Sequence, residues 1–166
     1  MGIRIECEEA SSIECPYLPC KKMVPIKGVF DHLKNDHGSY VCRTEASGEI
    51  RNMQYTGLGS HKPVIAQFDG QIFLLKCVIE ENRSLFWVTI LGTDEKAKWY
   101  DIRITAAPQG NMTLTARMKV YSTEMREEDV LKDPYGVMEI SKNNADRMIA
   151  EREDAKLVVG YHIIHK

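Results

Sequence analysis

The chain has 166 residues, 43% of them hydrophobic and 28% charged, with a formal net charge of −2 from 22 basic and 24 acidic residues. This allows one medium-sized globular domain with a small module beside it. It excludes a transmembrane helix, because apolar runs such as Leu85–Leu91 are far shorter than about 20 residues, and it weighs against nucleic-acid binding, which calls for a basic excess.

The start, Met1-Gly2-Ile3-Arg4-Ile5-Glu6, lacks the apolar stretch of an export signal. Five cysteines is an odd number. Without export, free or metal-bound thiols in a reducing compartment are expected, hence a cytoplasmic location, with the nucleus also open.

The strongest signal is the spacing Cys15-x4-Cys20-x11-His32-x4-His37. Zinc takes four sulfur or nitrogen ligands at tetrahedral corners. Pro16 and Pro19 flank Tyr17-Leu18 and favour a turn between the two thiols. Val29–His37 reads as a helix, with Phe30 and Leu33 on one apolar face. Histidines five apart lie about 140° apart on an ideal helix, so the last turn must change for both to reach one ion. Gly38 allows the helix to stop there. The alternative is four unrelated residues at a chance spacing. A segment as short as 15–38 buries too little surface to hold itself, so a bound metal would supply its folding energy. The helix offers Asp31, Lys34, Asn35 and Asp36, a mixed set that argues against reading DNA.

After Gly38, segments rich in β-branched and aromatic residues recur between turn signals. The predicted strands are Tyr40–Arg43, Ile50–Thr56, Pro63–Phe68, Gln71–Ile79, Leu85–Leu91, Trp99–Thr105, Met112–Tyr121, Gly136–Ile140 and Lys156–Ile164. Asp69-Gly70 is a two-residue hairpin turn, and Glu81-Asn82-Arg83 marks another. Thr93 is placed to cap a short helix at 94–98, and Asn144 to cap one over Ala145–Arg152. The sum is a mainly β fold: an antiparallel β-sandwich of seven to nine strands with a small ββα-like zinc finger in front.

Catalytic patterns are missing: there is no G-x-S-x-G elbow, Walker loop or H-E-x-x-H. His61, His162 and His165 are scattered, and Cys77 in an apolar strand reads as an inert core thiol. The acidic run from Glu124 to Asp133 reads as a solvated loop. No residue is assigned a catalytic role.

The finger spacing, the run Leu85-Phe86-Trp87-Val88-Thr89-Ile90-Leu91-Gly92-Thr93-Asp94-Glu95-Lys96-Ala97 and the ending Lys156-Leu157-Val158-Val159-Gly160-Tyr161-His162-Ile163-Ile164 together resemble the seven-in-absentia (SIAH-type) ubiquitin ligase family. The resemblance implies a TRAF-like sandwich over residues 39–166, a zinc finger over 15–38, and a remnant of a preceding finger over 1–14, with Cys7 as that finger's last ligand. It implies no ubiquitin transfer by this chain, because no RING set of cysteines is present. What it leaves is a homodimeric recognition half that takes degron-like extended peptides of substrates or adaptors by strand addition. The peptide would lie along Val41, Cys42 and Arg43, with Val64 and Ile65 across a groove. The family lines that groove with Trp and Met where this chain has Pro63 and Ile65. A TRAF-like adaptor with no RING and no ubiquitin role is the other reading. Neither involves nucleic acid or a membrane.

Overall fold

Alternating apolar residues turn one side of each strand inward, and two sheets close on each other to bury those sides. The computed structural model describes residues 11–43, 49–108, 110–154 and 156–166. Cys7 and most of the expected finger remnant lie outside them. Residues 12–14 of that segment form strand β1 (Ser12–Glu14), which pairs antiparallel with β2 (Met23–Pro25). They therefore belong to the hairpin that carries Cys15. Helix α1 (Val29–Asp36) follows, completing the ββα order.

The smaller sheet of the sandwich holds β4 (Glu49–Tyr55), β9 (Tyr100–Ala106), β10 (Leu114–Lys119) and β13 (Leu157–His165), in the order β10-β9-β13-β4. The larger sheet holds β3 (Val41–Arg43), β6 (Val64–Phe68), β7 (Gln71–Ile79), β8 (Arg83–Ile90) and β11 (Tyr121–Ser122) in the order β11-β8-β7-β6-β3. Two short strands join it: β5 (Gly59–Ser60) beside β7 and β12 (Met138–Ser141) beside β8. The pairings are antiparallel except β3 with β6 and β11 with β8, which are parallel.

The core lies between the sheets. Phe73, Leu75, Phe86, Val88 and Ile90 of the larger sheet meet Ile102, Ile104, Val159, Tyr161 and Ile163 of the smaller one. Tyr55 and Tyr161 satisfy their buried hydroxyls by bonding each other at 2.8 Å. Cys77 is buried there, and burial pushes its thiol well above the ordinary range, as befits an unreactive core cysteine.

Most of the predicted strands form. The Asp69-Gly70 turn has positive φ at both residues, 51° and 68°, as a twist-matched hairpin requires. Thr93 caps α2 (Asp94–Ala97), its hydroxyl accepting from the Lys96 N–H at 3.3 Å. Three readings change. The predicted strand Met112–Tyr121 divides: β10 stays in the smaller sheet and β11 crosses to the larger one beside β8. Helix α4 (Lys142–Ala150) starts earlier than expected, and Ser141, not Asn144, caps it by accepting from the Asn144 N–H. Part of the acidic run forms helix α3 (Glu127–Val130), whose Val130 is buried.

The crossing from β10 to β11 is tied down by Asp133. Its carboxylate pairs with Lys119 at 2.5 Å and accepts the Tyr135 N–H at 2.9 Å. These bonds, with Lys119 the foremost, lower its pKa to about 2. A folded-state pKa below the unfolded one stabilises the fold at neutral pH, and that contribution fades as pH falls from about 4 toward 2. Asp133→Asn is therefore expected to lower stability at pH 7, and the gap from the natural chain should close near pH 2 in urea unfolding. Close by, a Cβ on Gly136 would sit 2.0 Å from the Tyr121 ring. Tyr121 is buried against Leu85, Trp87 and Val130 and has little room to retreat. Gly136→Ala should lower the unfolding midpoint in the same experiment, while Phe86→Ala in the central core should cost about 3–5 kcal/mol.

Candidate metal centre

The ββα module sits where it does because of its own apolar face. Val29 and Leu33 lie four apart on α1, both fully buried, and pack with Val24 against Ile65 and Leu74 on the outer face of the larger sheet. This docking fixes the helix. The hairpin then brings the thiols to it: the Cys15 N–H donates to the Lys22 carbonyl and the Cys20 N–H to the Tyr17 carbonyl, each at 2.8 Å. The turn between them is the one that Pro16 and Pro19 predict.

Four donors converge. Cys15 Sγ lies 3.5 Å from His37 Nε2, Cys20 Sγ lies 3.6 Å from His32 Nε2, and the two Nε2 atoms lie 3.2 Å apart. All four ligand atoms fall within 4.8 Å of one another. They are close enough to bind one metal ion. The 140° problem is solved at the helix end. His37 is the capping residue, with φ −109°, beyond the last regular turn at Asp36. Gly38 then takes the left-handed φ of 64°, and the chain leaves for β3.

The surroundings favour a ligand set. Asp36 sits one turn after His32, and its Oδ2 lies 2.7 Å from His32 Nδ1. The Nδ1–H donates to the carboxylate, which leaves the Nε2 lone pair facing the cluster, the arrangement common behind metal-bound histidines. Burial lowers the His37 pKa, and the nearby His32 adds to the effect, so this ring is held neutral as a ligand must be. Burial raises the Cys15 thiol to about 11, against the Tyr17 N–H and the Lys76 charge, which pull it down. Cys20 is pulled the other way, by the Lys22 N–H first and by His32. Asp36 was legible in the sequence only as a helix-surface acid. The signal that finds its role is the i, i+4 spacing from His32.

The expected peptide residues fall differently. β3 pairs directly with β6 in parallel register, Val41 opposite Ile65 and Cys42 opposite Ala66, and the Ile65 N–H donates to the Tyr40 carbonyl at 2.9 Å. No groove separates the two strands. Ile65 is fully buried beneath the ββα module and Val64 is buried in the sandwich core, so neither side chain can meet a partner. Cys42 is buried as well, while Val41 is half-buried. Arg43 contributes its backbone to the strand. β3 ends the larger sheet, and its outer edge is unpaired among the described residues. His165 stacks on Tyr100 and faces Asp69 at 3.2 Å; it is not among the cluster residues. Helices long and apolar enough to cross a membrane do not occur among the described residues.

In comparisons with known proteins, no family model matches the chain and no curated protein matches it.

Two substitutions separate ligation from support. Cys20→Ser is expected to abolish stoichiometric metal binding and to release the ββα module, seen as loss of amide protection over residues 12–37. Asp36→Asn keeps all four ligands and should weaken metal affinity about 10–100-fold, measured by competition with a chromogenic chelator.

Proposed function

We propose that this chain is the zinc-stabilised recognition half of a SIAH-type ubiquitin ligase, a homodimer that takes an extended peptide of a substrate or adaptor by strand addition. The observation that carries the proposal is the Cys15, Cys20, His32, His37 cluster, joined to an open sheet edge by a single short turn. A tetrahedral zinc ion with ordinary Zn–S and Zn–N lengths puts S and N about 3.6 Å apart and two N about 3.3 Å apart. The distances of 3.5, 3.6 and 3.2 Å between the donors are close to these, and the set of two thiols and two imidazoles supports zinc over harder ions. With four protein ligands the ion has no open position. Its role is structural: it supplies the folding energy that the short ββα segment lacks.

Only Gly38, Ser39 and Tyr40 separate His37 from β3, so zinc would hold the edge strand in place. The edge of β3, unpaired among the described residues, supports main-chain recognition on its outer side, replacing the expected groove between β3 and β6. The described thiols divide between the cluster and the core, Cys15 and Cys20 in one and Cys42 and Cys77 in the other. The same features support an adaptor with no ubiquitin role; the two differ in whether bound partners turn over faster in cells that contain the protein.

Native mass spectrometry after expression with zinc tests the reading first. One zinc per chain at dimer mass is expected, and a metal-free chain counts against it. Peptides selected on the loaded protein should protect the amides of Val41–Arg43 from hydrogen exchange. Protection confined to other strands would remove strand addition at β3.

A further inference from the structure

The outer face of the larger sheet is covered from two sides. The ββα module covers Ile65 and Leu74, and α3, with the Tyr121 side chain beside it, covers Leu85 and Trp87. Between these covers runs a seam of about 540 Å³, walled by the hairpin on one side and by residues 122–130 on the other. Its floor is polar. Lys76, only 5% exposed, forms an ion pair with Glu127 Oε2 and lies 5.6 Å from the centroid of the Trp87 ring. The ion pair neutralises the floor, but three residues that line the seam each carry a buried polar atom without a hydrogen-bond partner: Trp87 Nε1, Thr89 Oγ1 and Glu127 Oε1. Trp87 is 1% exposed and Thr89 6%. They stand two apart on β8 and so share its outward face.

These three atoms define a chemistry. Trp87 can only donate, ionised Glu127 can only accept, and Thr89 can do either. A carboxylate or phosphate offers acceptors alone and would meet the Glu127 oxygen with like charge. An ammonium offers donors alone and leaves the indole N–H unanswered. A carboxamide carries an acceptor and a donor side by side and is neutral, which suits a floor whose charge is already balanced. The rim supplies apolar cover on both walls: Met23, 64% exposed, from the hairpin and Met125 from the opposite loop. Methionine is flexible and adapts to the stem of an entering side chain.

We propose that this seam is a second recognition site, separate from the metal cluster and from the β3 edge, that takes the carboxamide side chain of a Gln or Asn from a partner protein. The indole of Trp87 and the hydroxyl of Thr89 meet its oxygen, and Glu127 Oε1 meets its amino group. Leaving a buried donor or acceptor unanswered is unfavourable, so the site discriminates by polarity pattern more than by size.

The chain has two tryptophans, Trp87 and Trp99, so its indole N–H resonances are two, and Trp99→Phe assigns them. The test titrates the full zinc-loaded chain with three peptides, acetyl-Ala-Gln-Ala methyl ester and its Glu and Leu counterparts, so that only the Gln peptide carries a primary carboxamide. The expected result is a saturable shift of the Trp87 resonance, with half-saturation by the Gln peptide at about ten-fold lower concentration than by the others. Thr89→Val, similar in volume, should raise that midpoint. If the variant does not fold, the three-peptide series on the natural chain decides alone. Equal effects of the three peptides, no saturable shift at Trp87, or a shift confined to Trp99 would each overturn the site and leave the floor to ordinary buried water.

Discussion

The structure turns on a demand made by β7 and β8. Residues Phe73–Cys77 and Ser84–Ile90 are buried without a break, so these strands are covered on both faces. The smaller sheet covers the inner face. The outer face, with Leu74, Lys76, Leu85, Trp87 and Thr89, needs another cover, because exposed apolar area of that size invites association. The ββα module and the α3 segment divide the task.

That division makes stability of the sandwich depend on a segment with little stability of its own. Val29 and Leu33 give α1 a good face for docking, yet two short strands and an eight-residue helix are marginal by length. Two thiols and two imidazoles converge closely enough to bind a metal ion, which would supply the missing energy. The dependence would then run in one direction along the chain: ion, hairpin and helix, outer face of the sheet, and edge strand β3.

Lys76 shows how the two covers are joined. A buried ammonium is unfavourable, and burial lowers its pKa even though Glu127 and Cys15 favour the charged form. Its partner comes from α3 and its ring contact from β8, while its charge also reaches Cys15 in the ββα module. Replacing such a pair by apolar residues is often neutral or stabilising elsewhere. Its presence at the seam is therefore hard to explain by stability alone, and fits a place where polarity has a use.

The mainly β architecture is legible in residue order, because alternation in Tyr100–Ala106 and turn pairs such as Asp69-Gly70 are local in origin. So is the cluster of Cys15, Cys20, His32 and His37, since residue type and spacing are properties of a short segment, as is the Gly38 stop. What depends on long-range packing is fixed only when the chain folds. The division of residues 112–122 between two sheets has little local signal, since apolar alternation runs unbroken from Leu114 to Val120 and breaks only at Tyr121. The closing of β3 onto β6 and the burial of Ile65 follow from where the ββα module docks, which a strand pattern cannot express. Lys76 reads as an ordinary charged residue within its strand, and its partner Glu127 is 51 positions away. The seam, and the unanswered polar atoms on its floor, exist only once the two covers meet on one sheet.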